Sequence, residues 1–75
     1  MDIVDILIHI HPDLLAEQRA KIEEALGSSN GVVSAHFSSE HAHELTADYD
    51  PEVINSSTIL EQVRQWDEAA TMAGL

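Results

Sequence analysis

Residues 2–11 alternate in polarity. Val4, Ile6, Ile8 and Ile10 fall on one side, and Asp5, Leu7, His9 and His11 on the other. A period of two with β-branched residues predicts a half-buried strand. The period then changes. Leu15, Arg19, Ile22, Ala25 and Leu26 recur at helical spacing after Pro12, with Asp13 and Glu17 bringing negative charge to a helix start. Gly27 is placed to end that helix, which is expected over about 13–26. "GSSNG" at 27–31 reads as a loop.

Alternation returns at 32–38, where Val33, Ala35 and Phe37 make one face and Val32, Ser34, His36 and Ser38 the other. It continues at 43–49 with Leu45, Ala47 and Tyr49 on one face. The short connection through "SEHA" makes these strands an antiparallel hairpin. "DPEVINSS" is a polar connector with two candidate helix caps, Thr58 in a capping box with Glu61, or Asn55. Ile59, Leu60, Val63, Trp66 and Ala70 form an apolar stripe, which Met72 or Ala73 extends. A helix over 57–73 would be roughly 25 Å long. Trp66 is expected in the core or over an exposed strand edge.

The order β-α-β-β-α, with a right-handed crossover between strands 1 and 2, predicts an α+β ferredoxin-like sandwich. An antiparallel sheet carries two helices on one face. Its other face, open to water, holds Asp5, Leu7, His9, Ser34, His36, Glu44 and Thr46. The last segment, "EAATMAGL", reads more as continued helix than as a fourth strand, and the sequence leaves that choice open.

Length and charge narrow the function. The 75 residues are expected to form a single domain, 1–75, with a thin core, since a domain of this size buries only about 60% of its unfolded surface. Net charge is −11, with Arg19, Lys21 and Arg64 the only basic side chains apart from histidine. Such a surface repels nucleic acid and anionic membrane. It suits a cation, a basic protein partner, or solubility alone. No apolar run approaches the roughly 20 residues of a membrane span. The acidic N-terminus lacks the basic region of a signal peptide, so the expected location is cytoplasmic. Cysteine is absent, which excludes thiolate metal sites. There is no nucleophile–base pair, phosphate loop or carboxylate couple, and the expectation is a binding protein rather than an enzyme.

"IEEAL" at 22–26, "GVVSAHF" at 31–37, "ADYDP" at 47–51 and the Ile59/Val63 spacing together resemble the heavy-metal-associated domain family of copper chaperones and metal-transporting P-type ATPases. The resemblance covers about 55 residues and implies the same ferredoxin-like fold. The family binds soft metals through a Cys-x-x-Cys pair at the start of the first helix. Those cysteines map to Leu15 and Gln18, and the methionine before them maps to Asp13. Copper(I) binding by that route is therefore not implied here. The glycine that ends the family's second helix maps to Asp67. Without a fourth strand, strand 1 would be an exposed apolar edge, which predicts a homo-oligomer built on residues 3–10.

The five histidines remain. His9 and His11 end strand 1. His41 and His43 lie in or beside the hairpin with Glu40 and Glu44, and His36 lies nearby on strand 2. All fall at the end of the domain where the family holds its metal. Imidazole with carboxylate suits Zn²⁺, Ni²⁺, Co²⁺ or Cu²⁺. The candidate ligands are His11, His41, His9, His43 and Glu40. Residues two apart on a strand lie about 7 Å apart at Cα, which one ion can sometimes bridge. His43 shares the parity of Leu45, which would turn it toward the helices. The competing readings are a metal-free interaction or oligomerisation module with solvated histidines, a proton-sensing interface, and a small-ligand domain with a defined pocket.

Overall fold

The computed structural model describes residues 2–11 and 14–73. The elements run β1 (Val4–His9), α1 (Ala16–Gly27), β2 (Val32–Phe37), β3 (Glu44–Tyr49), α2 (Ser56–Arg64) and β4 (Thr71–Ala73). They form one four-stranded sheet in the order β2-β3-β1-β4, with every neighbouring pair antiparallel. This is the expected ferredoxin-like sandwich, with the fourth strand present.

The alternation of β1 buries Ile6, Ile8 and, just past the strand, Ile10. Their cross-strand partners on β3, Leu45 and Ala47, are buried with them. The inward stripes of α1 (Ile22, Leu26) and α2 (Ile59, Leu60, Val63) close the core from one side. Ile8, Ile22, Leu26, Leu45, Ile59 and Val63 are almost completely buried, each contributing about 1.5–3 kcal/mol of burial energy.

Four expectations change. The hairpin carries a bulge: Val32 pairs with Tyr49 and Ser34 with Asp48, so Val33 is an extra residue. One inserted residue reverses the facing of what precedes it. Val32 packs on the core, and Val33 is 61% exposed instead of facing inward. The first helix starts at Ala16, not near 13, with Leu15 as its N-cap. Pro12 and Asp13 lie outside the described residues. Leu15 offers no side-chain acceptor, and Gln18 compensates by folding back so that its Oε1 accepts from the Leu15 amide at 2.9 Å. At the other end Gly27 is the last helical residue. The glycine with a left-handed backbone is Gly31, at φ +98°. A β-carbon there would also lie 2.8 Å from Val53 and Ile54 side chains.

The largest change is at the C-terminal end. Asn55 caps α2, its Oδ1 accepting from the Thr58 amide and hydroxyl at 2.8 and 2.9 Å. The helix ends at Arg64, not at 73. Asp67 makes the turn: its Oδ1 accepts from the Ala69 amide and its carbonyl from the Ala70 amide. Arg64 Nε donates to the Ala70 carbonyl at 3.0 Å, and Ala70 is fully buried. Thr71, Met72 and Ala73 then pair with His9, Ile8 and Leu7. β1 is thus an inner strand of the sheet, and the predicted oligomer through its free edge loses its premise. Trp66 is 43% exposed, neither in the core nor needed over an open edge.

Candidate metal centre

The ladder between β1 and β3 continues past both strands at one end of the sheet. His9 pairs with Glu44, and the Ile10 amide donates to the His43 carbonyl at 2.9 Å. Just before β3 the chain makes a tight turn in which the Glu44 amide donates to the His41 carbonyl at 2.9 Å. Ser38 braces this turn. Its hydroxyl accepts from the amides of Glu40 and His41, both at 3.2 Å, and its own amide donates to the Glu44 carbonyl.

These constraints set three imidazoles in a row. The rings of His9 and His43 lie 5.8 Å apart between centroids, and those of His43 and His41 lie 5.9 Å apart, both edge to face. His43 therefore meets His9, and strand parity did not foretell it. The turn at 41–44 breaks the alternation before His43 is reached. Behind the row, Glu44 Oε2 lies 3.7 Å from His9 Nε2, with the two side chains 27% and 44% exposed. Glu44, not Glu40, supplies this carboxylate. The register of the hairpin with β1 carries that signal, since alternation already puts His9 and Glu44 on the open face.

The other candidates are placed differently. The His11 amide donates to Asp67 Oδ2 at 2.6 Å, tying the segment after β1 to the turn after α2. Asp67 was not among the candidate residues. Glu40 is exposed, and its amide is held by Ser38. His36 is exposed opposite Thr46.

Two imidazoles on one tetrahedral zinc, with Zn–N near 2.0–2.1 Å, have centroids about 5 Å apart. Each neighbouring pair in the row lies within about 1 Å of that spacing. Among the described residues, no group of three or more histidine or acidic side chains is gathered tightly enough to hold a metal. The positions that match the family's cysteines do not fit a soft ion. Leu15 is apolar and 60% exposed, and the Gln18 carbonyl is already engaged as a helix cap.

Elsewhere, a shallow cleft between β3 and α2 is lined by Pro51, Glu52, Val53, Ile54, Asn55 and Thr58. No helix among the described residues is long and apolar enough to cross a membrane.

The sequence matches no family model and no curated protein. Solved structures match it well. A copper-binding domain from HMA7, a P-type ATPase, superposes with a TM-score of 0.79 at 19% identity over 93% of each chain. A CopZ metallochaperone gives 0.74 at 16% identity, over 93% of this chain and all of that one. A copper-bound CopA variant from Bacillus subtilis gives 0.70 at 20% identity, over 95% and 90%. The chain has the ferredoxin-like fold of these metal-binding domains.

Proposed function

We propose that this chain is a non-enzymatic metal-binding domain that takes a borderline divalent ion, Zn²⁺, Ni²⁺, Co²⁺ or Cu²⁺, through imidazoles at one end of its sheet. The observation that carries this reading is the row His9–His43–His41 with Glu44 against His9. Two of the solved structures that share the fold are a copper-binding domain and a copper-bound CopA variant. The donors are of another class, and donor class sets the metal: imidazole and carboxylate favour borderline ions over cuprous ones. A net charge of −11 adds a field that concentrates cations at the surface. His11 and Glu40, near these histidines in sequence, remain further candidate donors.

The exposed Leu15, Val33 and Trp66 favour the second reading, a metal-free interaction or oligomerisation module. An NMR titration of metal-stripped protein with Zn²⁺, repeated with Ni²⁺, separates the two. Metal binding predicts saturable shifts confined to His9, His41 and His43 and their neighbours at micromolar ion, lost in His43→Ala. Weak shifts spread over the acidic surface would refute it.

A further inference from the structure

The row of rings is too extended for one ion to collect. His43 lies between His9 and His41, at nearly equal distances from both, and edge to face with each. An ion chelated by one pair leaves the third ring outside, consistent with no cluster of three donors among the described residues. One chain thus offers an ion two neighbouring imidazoles, whereas closed sites for such ions have four donors.

The two pairs differ in reach. His9 is held within the sheet, its backbone between Glu44 on one side and Thr71 on the other, and its ring faces the Glu44 carboxylate. His41 and His43 belong to the tight turn at the tip of the hairpin, where His41 is exposed and Ser38 fixes the backbone. That pair sits on a braced backbone, with His41 exposed to another molecule and His43 half-buried beside it.

Resting on the metal-binding reading above, we infer that the ion is held between two copies of this chain, each supplying His41 and His43. A twofold axis through the ion makes the two halves of the site identical and the assembly closed. Charge makes the metal obligatory. Two surfaces of −11 repel each other, and the ion supplies positive charge at the point of contact, where Glu40 and Glu44 flank the histidines. The metal-free chain is therefore a monomer. The association strengthens with added salt, because screening weakens the repulsion more than it weakens the short coordinate bonds.

The test is sedimentation velocity on the metal-stripped chain with increasing ZnCl₂, alongside calorimetric stoichiometry. The expected result is a doubling of mass complete at one ion per two chains, reversed by EDTA. His41→Ala, an exposed turn substitution, is expected to abolish the dimer, and His9→Ala to retain it. Saturable binding of one ion per chain at monomer mass would overturn the shared site and leave the metal-binding reading standing. A dimer that persists in His41→Ala would overturn the ligand assignment. Absence of saturable binding would overturn both.

Discussion

The Asp67 side chain ties together two segments that are far apart in sequence. One carboxylate oxygen accepts from the Ala69 amide and so turns the chain out of α2. The other accepts from the His11 amide at 2.6 Å, across 56 positions of sequence. A hydrogen bond to a charged acceptor contributes more than a neutral one, although exposure to water reduces it here. Asp67→Ala is expected to cost roughly 1–2 kcal/mol in urea denaturation and to speed hydrogen exchange at the His11 amide. Unchanged exchange at that amide would mean the bond is incidental. At this scale the sequence reading was least informative. Asp67 fell within what reads as a continuous apolar helix, and nothing in its neighbours announces a carboxylate that bonds to a distant backbone. The meeting of His43 with His9 was hidden for a related reason. Alternation predicts facing only inside a strand, and His43 stands in a turn. Glu44 was legible, because it lies inside β3 where alternation holds.

Elements with repeated patterns were read well from the sequence. β1 and β3 each carry several alternating apolar residues, so tertiary packing only reinforces what each segment prefers. The stripe expected on α1 holds only in part: Ile22 and Leu26 are buried, whereas Leu15 and Ala25 are exposed. β4 is different. Three residues, Thr71 to Ala73, cannot display a period, and the apolar Trp66, Ala70 and Met72 fit a helix equally well. Partner availability decides it: Leu7, Ile8 and His9 present unpaired backbone groups that β4 satisfies. The bulge at Val33 was equally silent, as a single added residue leaves no mark on composition. Removing β4 should expose the apolar β1 edge that its pairing now covers. A variant ending at Ala70 is expected to self-associate in metal-free buffer, with sedimentation that rises with concentration. If that variant stayed monomeric at high concentration, β4 would not be what protects β1.

Across the whole molecule, the dominant feature is charge held in a small volume. The radius of gyration is 11.2 Å and the longest extent 35 Å, so most charges lie within a few screening lengths of one another. Of the three basic side chains, Arg19 donates to the Leu14 carbonyl and Arg64 to the Ala70 carbonyl, which ties both to the backbone. Self-repulsion then opposes folding. The melting temperature of the metal-free chain is expected to rise as sodium chloride is raised through about 0.1 M, where the screening length is about 10 Å. A fall in melting temperature over that range would show that specific ion pairs outweigh the repulsion.

The position of β1 also has a consequence in time. It precedes both of its neighbours in the sheet along the chain: β3 lies near the middle of the domain and β4 at residues 71–73. During synthesis an isoleucine-rich strand waits for its second partner until β4 has emerged. Such a waiting strand is the kind that recruits its counterpart on a neighbouring nascent chain. The same negative charge that opposes the finished fold also repels adjacent unfinished chains, which offsets the risk that a waiting strand carries.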